Sequence, residues 1–337
     1  MNGLALVIYW LGAALVNQIP LTDPMSRLTM FSNVLVFSTY ATYIIMSFMM
    51  LVMIFMMLPQ AEVSAERINE VLDRKASITE GSVREGSERG SVEFRDVCFR
   101  YPGASEEDLS HISFQVKQGE TLAIIGATGS GKSTLVSLIP RFYDATSGQV
   151  LVDGVDVKDY AFDALYDKLG YVTQKAVLFS GSIRDNVFFG ESAAAADDGA
   201  LSSAIELSQA KEFVDKLPEG TEHHIAQLGR NVSGGQKQRL SIARALARRP
   251  EILVFDDSFS ALDYRTDAKL REGLAKQLHD ITKIIVAQRI STIRHADKII
   301  VLDRGEAVGM GTHEELMQNC EVYREIATSQ LSAAELA

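Results

Sequence analysis

The sequence predicts an α/β domain built on a mainly parallel sheet and preceded by transmembrane α-helices. Three observations carry this. Leu28 to Ala61 has no charged side chain and is rich in Leu, Val, Ile, Phe and Met. From about Ser91 to the end, short β-rich runs alternate with helical stretches, the pattern of strands joined by helical crossovers. Within that region "TLAIIGATGSGKSTLVSLI" sets a glycine-rich turn between a strand-like run and a helical one.

The membrane part comes first. From Met1 to Ala61 the only charged side chains are Asp23 and Arg27. About 20 apolar residues cross a bilayer, so Leu28–Ala61 spans with room for tilt or a cytosolic extension. The apolar run Gly3–Val16 is short for a span and resembles the tail of a transmembrane helix. Between them, "NQIPLTDPMSR" holds two prolines and both charges, as a water-exposed turn should. A cleaved signal peptide is the rival reading of the first run, but it lacks the basic start such peptides carry. The expectation is a membrane hairpin from a longer protein, with residues 1–61 as the end of a transmembrane domain. Past Pro59, "QAEVSAERINEVLDRKASITEGSVREGSERGS" turns charged and then Gly/Ser-rich. Its first half has helical spacing (Val63, Ile68, Val71, Leu72). Its second half reads as a linker. Residues 62–90 are thus a helix extension and linker, and 91–337 the α/β domain. The short tract "SAAAADDGA" is the one low-complexity segment.

Composition excludes some functions. The 337 residues carry a net charge of −11 and 47% hydrophobic residues. No basic face dominates, which argues against nucleic acid as a partner. Cys98 and Cys320 are far apart and form neither a metal-binding spacing nor a disulfide framework, so a reducing, cytosol-facing location fits best.

The glycine-rich turn reads G-x-x-x-x-G-K-S: Gly126, four residues, Gly131, Lys132, Ser133. Glycines let backbone N–H groups curl around phosphate oxygens, and the following helix adds its positive end. Lys132 suits the β/γ phosphates and Ser133 supplies an oxygen to Mg²⁺. A bare Gly-rich turn is the bland alternative; the flanking strand and helix weigh against it. "LVFDDSFSALD" then acquires a role. A strand-like run ends at adjacent carboxylates, Asp256 and Asp257. A phosphate-loop site needs a carboxylate at a neighbouring strand end to hold Mg²⁺, which Asp256 supplies. Asp257, one step on, stands where a second carboxylate orients the attacking water. Without the phosphate loop, both would read as solvated turn acids. "NVSGGQKQRLSIARALARRP" joins a Gly-Gly turn to an amphipathic helix. Ser233 is its N-cap candidate, and Leu240, Ala243, Leu246 and Ala247 form its apolar stripe.

These motifs together resemble the nucleotide-binding domain of ATP-binding cassette (ABC) transporters, over essentially the whole chain. "GATGSGKST" resembles the Walker A loop, "VSGGQ" (Val232–Gln236) the signature motif, "ILVFDD" Walker B and "SALD" (Ser260–Asp263) the D-loop. Gln174 matches the Q-loop glutamine, and Tyr101 in "VCFRYPG" matches the aromatic that stacks on adenine. The resemblance implies an ABC-type P-loop NTPase cassette behind the last two transmembrane helices of a type IV exporter half, with four earlier helices missing. It implies ATP and Mg²⁺ as cofactors. The ATP-binding residues it implies are Tyr101, Gly126, Thr128, Gly129, Ser130, Gly131, Lys132, Ser133 and Thr134, with Ser233, Gly234, Gly235, Gln236 and Asp263. The metal-site residues are Ser133, Gln174 and Asp256, and the catalytic ones Asp257, Gln288 and Gln174. In such exporters two cassettes pair head to tail, with each ATP between one Walker A and the other signature motif. The protein is then expected in the plasma membrane, multi-pass, with the cassette in the cytosol.

Two positions depart from the family pattern. After the Walker B Asp the family has Glu; here it is Asp257. In the switch motif, "IIVAQRIST" places Gln288 where His is expected. Asp is one methylene shorter, and a misplacement of about 1 Å costs on the order of 10²-fold in rate. Gln cannot relay a proton as His does. The resemblance therefore implies an ATPase subunit that binds ATP but cleaves it slowly, competent beside a heterodimer partner bearing Glu and His. A homodimeric exporter with weak activity and an ATP-sensing regulator are the alternatives. A soluble ABC-type ATPase is disfavoured by the apolar stretch. In the span, Ser32, Thr39, Tyr43 and Ser47 share one helical face, suited to a transport pathway or to interhelical hydrogen bonds. Met46, Met50, Met53 and Met57 form another stripe, suited to lipid, packing or adaptable binding. With no charge in the span, the expected cargo is a small amphipathic or hydrophobic solute.

Overall fold

A computed structural model describes residues 2–190 and 198–330; part of the "SAAAADDGA" tract lies outside them. The chain divides into two compact units, Met1–Ser77 and Ile78–Ala337.

The first unit is a pair of helices, α1 (Asn2–Asn17) and α2 (Pro24–Leu72). The sequence places Pro24 to Arg27 in the turn, whereas the helix begins at Pro24. Pro at the first helical position loses no hydrogen bond, and the Asp23 carboxylate caps the start by accepting the Ser26 N–H at 3.1 Å. The other charge of the turn, Arg27, donates from Nε to the Ile19 carbonyl at 2.9 Å. At 49 residues, α2 is on the order of 70 Å long, and it continues through Pro59. Among the described residues, α2 alone is long and apolar enough by length and composition to cross a membrane; α1 is a shorter apolar helix. Gly12 on α1 allows close approach to α2, since a Cβ there would meet Val34 at 2.4 Å. Thr39 and Ser47 donate to the carbonyls of Leu35 and Tyr43, one turn back in their own helix. The four methionines of the stripe are exposed.

The second unit is α/β, as the sequence predicts. Its strands are β1 (Val92–Phe99), β2 (Leu109–Val116), β3 (Thr121–Gly126), β4 (Ser147–Val152), β5 (Val155–Asp156), β6 (Leu169–Val172), β7 (Gly181–Ser182), β8 (His224–Ile225), β9 (Ile252–Asp256), β10 (Thr282–Val286), β11 (Lys298–Asp303) and β12 (Glu306–Gly311). Its helices are α3 (Lys132–Ser137), α4 (Phe162–Lys168), α5 (Ile183–Val187), α6 (Asp198–Leu207), α7 (Lys211–Val214), α8 (Gly234–Ala247), α9 (Tyr264–Gln277), α10 (Ile290–Ile293), α11 (His313–Asn319) and α12 (Glu321–Gln330).

The central sheet runs β12-β11-β3-β10-β9-β6, parallel except for the antiparallel edge strand β12. Both of its faces are covered, so its inner strands read as continuous apolar runs. Alternation still sorts their side chains. Ala123, Ile125, Leu253, Phe255, Ile299 and Val301 face a core that also holds Ala243 of α8, Leu270 of α9 and Tyr323 of α12. Leu122, Ile124, Ile252, Val254, Ile300 and Leu302 face the opposite core, made with α3, α4 and a second sheet, β2-β1-β4-β5. That second sheet is antiparallel.

The stretch that reads as a linker is in part strapped to this unit. Gly81 N–H donates to the Tyr160 carbonyl at 2.9 Å, Val83 to Asp159 at 2.8 Å and Ser87 to Asp153 at 2.9 Å. Ala161 N–H returns a bond to Val83. A Cβ on Gly81 would stand 2.1 Å from the Asp159 carbonyl oxygen, so this glycine serves close backbone approach, not flexibility.

Below the strap, the fully buried Tyr160 donates its hydroxyl to the Val152 carbonyl at 3.1 Å. Burial pushes this phenol up to about 12, and burial does the same at Tyr323. Both folded values lie above the unfolded phenol near 10. Their contribution is therefore fully present below about pH 10 and lost as pH rises through about 12. Tyr160→Phe should cost roughly 0.5–1.5 kcal/mol at neutral pH by removing the phenol's hydrogen bond to the Val152 carbonyl, and should flatten the alkaline decline. Melting temperatures from neutral to strongly alkaline pH check both; an unchanged alkaline arm contradicts the assignment.

Candidate nucleotide site

The site forms at the carboxyl ends of β3, β10 and β9, where an open parallel sheet offers its crevice. Register sets it: Val286 of β10 lies level with both Ile124 of β3 and Asp256 of β9. Beyond β3 the chain turns through residues 126–131 into α3. A Cβ on Gly126 would sit 2.1 Å from the Leu302 carbonyl oxygen, so only glycine fits. Gly129 and Gly131 adopt left-handed φ of 83° and 95°, open to glycine at little cost.

Lys132 is buried and folds back over this loop. Its Nζ donates to the Gly126 carbonyl at 2.9 Å, the Ala127 carbonyl at 2.7 Å and Ser130 Oγ at 3.4 Å. Burial lowers its pKa, and the nearby Asp257 and Asp256 oppose that. Ser133 Oγ donates to Asp256 Oδ1 at 2.8 Å. Thr134 Oγ1 lies 3.1 Å from the Tyr101 hydroxyl. The half-buried Tyr101 ring packs edge-on with Phe99 and Tyr143, at centroid distances of 4.8 and 5.1 Å. A cavity of about 260 Å³ opens here, lined by Asp108, Thr128, Gly129, Gly131, Lys132, Ser133, Thr134, Gln174, Asp257, Val286 and Gln288.

The two carboxylates differ in their partners. Asp256 ends the fully buried strand β9. Burial raises its pKa; the bonds from Ser133 and Tyr171 and the charge of Lys132 oppose this, and the neighbouring Asp257 adds to it. The Tyr171 hydroxyl donates to Oδ2 at 3.4 Å. Asp257 is 6% exposed and has a left-handed φ of 47°. Its N–H donates to the Val286 carbonyl at 3.1 Å, and its carbonyl accepts Ser260 Oγ at 2.8 Å. Its Oδ2 accepts two side-chain amides, Gln174 Nε2 at 3.0 Å and Gln288 Nε2 at 2.7 Å.

The remaining sequence candidates are not among the residues that line the cavity. Ser233 N-caps α8 in a capping box: its side chain accepts the Gln236 N–H at 3.3 Å, and Gln236 Oε1 accepts the Ser233 N–H at 2.8 Å. Ser233 and Gly234 are exposed, and Gly235 beside them is half-buried. Asp263 N-caps α9, accepting Thr266 N–H at 3.0 Å and Thr266 Oγ1 at 2.7 Å. Sequence reasoning missed Asp108, Tyr171 and Gln238. Asp108 ends an acidic run, "SEEDLS", with nothing to distinguish it. Tyr171 had a signal, a phenol on the strand leading to Gln174. Gln238, in the signature helix, donates to the Thr173 carbonyl at 3.3 Å and so ties α8 to the Gln174 turn.

The donors suit a hard cation bound through oxygens. Among the described residues no cluster of three or more His, Cys, Asp or Glu side chains could hold a metal. A cation here would complete its shell from phosphate and water, the habit of Mg²⁺.

Glycine-framed loop, buried lysine and strand-end carboxylate together define a P-loop nucleotide-binding fold. Comparison with known proteins narrows the class. Residues 109–260 match the family model described as ABC transporter. An uncharacterized ABC transporter ATP-binding protein of Mycobacterium tuberculosis is 44% identical over 312 residues, covering 90% of this chain and 52% of that protein. One of Bacillus subtilis is 42% identical over 335 residues, covering 98% and 56%. An ATP-dependent lipid A-core flippase of Xanthomonas campestris is 44% identical over 254 residues, covering 75% and 43%. A solved bacterial Atm1-family ABC exporter with ATP bound superposes with a TM-score of 0.79 at 31% identity, covering 97% of this chain and 57% of that one. The cassette belongs to the ABC transporter family and is an ATP-binding domain. The chain spans about half the length of the relatives it matches.

Lys132→Met removes the cation beside the cavity. At ATP about 100-fold above its dissociation constant, the unsubstituted protein should gain about 2.7 kcal/mol of stability. The variant should gain almost none, as thermal melts with and without ATP will read. An equal gain in both would exclude this cavity as the ATP site.

Proposed function

We propose that the chain is the ATP-binding part of an ABC exporter subunit whose own phosphate-loop site holds ATP and cleaves it slowly. The single observation that carries this is at Asp257: one carboxylate oxygen accepts amides from both Gln174 and Gln288. A general base must take a proton from water. Here the carboxylate is short, and one oxygen is occupied by two donors. Neither amide can pass a proton onward, as the imidazole expected at position 288 does. The set grips and does not relay.

In this reading Gly126, Thr128, Gly129, Ser130, Gly131, Lys132, Ser133 and Thr134 bind the phosphates, and Tyr101 meets the base. Ser133, Asp256 and Gln174 are the oxygen donors for Mg²⁺, which when bound neutralises phosphate charge. The exposed start of α8, with Ser233, Gly234, Gly235 and Gln236, serves the nucleotide of a second cassette, as does Asp263. The exposure of Ser233 and Gly234 supports this, because a helix start open to solvent suits an anion brought by a partner. The partner is a second ABC half, with Glu and His at the positions of Asp257 and Gln288. The apolar α2 supports a membrane location with the cassette in the cytosol. The relatives named as a lipid A-core flippase and an Atm1-family exporter support export; with the uncharged span they favour an amphipathic or lipid-like solute.

The test starts with the full-length protein purified from its own membranes and the identity of what accompanies it. A second ABC half in equal amount is the expected result. In that complex, Asp257→Asn should change ATP turnover by less than about 3-fold, whereas removing the partner's Glu should cost on the order of 10²–10⁴-fold. Copies of this chain alone, turning ATP over rapidly, would refute the proposal. Copies alone with slow turnover and ATP-dependent solute movement would make it a weak homodimeric exporter, and slow turnover without movement an ATP sensor.

A further inference from the structure

The segment that carries Gln288 is held from an element far along the chain. Gln288 follows β10 and precedes α10, whose N-cap, Arg289, makes no side-chain cap hydrogen bond. The first N–H groups of a helix lack partners within it and need one from elsewhere. At α10 it comes from α12. Gln330 Oε1 accepts the Ile290 N–H at 2.9 Å, and Gln330 Nε2 donates to the Gln288 carbonyl at 2.8 Å. One side-chain amide thus spans the two backbone groups flanking Arg289, as a neighbouring strand would. Both ends of the amide are used, so turning it over would set oxygen against oxygen.

Helix geometry explains why Gln330 arrives there. Tyr323 and Ala327 of α12 are fully buried. Gln330 lies seven residues beyond Tyr323 and three beyond Ala327, on the same face. The packing that seats α12 in the core therefore delivers its last side chain to the 288–290 backbone. From there the path is short: the Gln288 side chain reaches Asp257, which Gln174 also holds.

We propose that Gln330 is a positioning residue for the nucleotide site. By capping α10 from the C-terminal helix it sets how Gln288 meets Asp257, and so couples the seating of α12 to ATP binding. This rests on the reading of Gln288 and Asp257 given above.

The test uses the full chain with two substitutions. Gln330→Met keeps size and removes both bonds. Gln330→Glu keeps an acceptor for Ile290 and sets a carboxylate oxygen against the Gln288 carbonyl. Amide exchange over residues 286–292 and ATP titration are read together. In Gln330→Met, the Ile290 amide should exchange about 10-fold faster, and ATP should bind about 5-fold more weakly. The melting temperature should stay within about 2 °C of the unsubstituted chain. Gln330→Glu should keep Ile290 protected yet weaken ATP to a similar degree, and it decides the matter if the Met variant folds poorly. Unchanged exchange in Gln330→Met, or unchanged ATP affinity in both variants, overturns the proposal. If the unsubstituted chain fails to bind ATP, the site reading and its coupling fall together, and the exchange data then report the clasp alone.

Discussion

The cassette depends on charge kept at the edge of a strand that water does not reach. All five residues of β9 are buried, and the last is Asp256. A carboxylate there is tolerated only where hydrogen bonds or cations meet it. Ser133 and Tyr171 meet Asp256; Gln174 and Gln288 meet Asp257; Lys132 lies close to both. These partners come from α3, from β6 and the turn after it, and from the segment after β10. The two acids therefore specify how the ends of neighbouring strands assemble. The ligand site is the place where that specification is left incomplete.

The α/β character was legible because parallel strands buried on both faces leave a plain mark, a short apolar run closed by a turn. β3 and β9 both read so. The antiparallel sheet of β1, β2, β4 and β5 was less legible. Its strands carry bulges, with register shifts between Phe94 and Val97 and between Arg95 and Cys98, which break the alternation that would announce them. The strap of residues 81–87 reads as a linker for a different reason. Gly and Ser there mimic a flexible spacer, yet the chain needs Gly81 to bring its backbone against Asp159. Composition does not distinguish a glycine that permits motion from one that permits contact. At the membrane turn, composition hides the helix start. Pro24 breaks a helix interior but opens a helix, and only the cap on Asp23 tells the two apart.

The site was legible where its members are close in sequence. The residues from Gly126 to Thr134 announce themselves by spacing, because a loop that wraps phosphate has little freedom in length. Ser233 and Gln236 likewise show a capping box three residues apart. Contacts across long separations were out of reach. Nothing in sequence says that Gln174 and Gln288 converge on one oxygen of Asp257, or that Gln238 holds the Thr173 carbonyl. Such contacts follow from strand order, which composition does not encode. Gln330 is further still from any pattern, since its role lies in two backbone groups on another element.

The backbone at Asp257 bears on why this position carries the residue it does. Its φ of 47° lies in the left-handed region, which non-glycine residues avoid but Asp and Asn enter several-fold more often than most. The turn is pinned on both sides, by its N–H on Val286 and by Ser260 on its carbonyl, so the conformation is imposed and not chosen. A short side chain suits that backbone and keeps its carboxylate beside the strand ends, where two glutamine amides close on it. All three side chains line the cavity, with the carboxylate joined to both amides. The pair of glutamines fixes the carboxylate from two elements, the turn after β6 and the segment after β10. Backbone, side-chain length and hydrogen-bond partners agree on a carboxylate held in place, the arrangement from which slow cleavage is proposed.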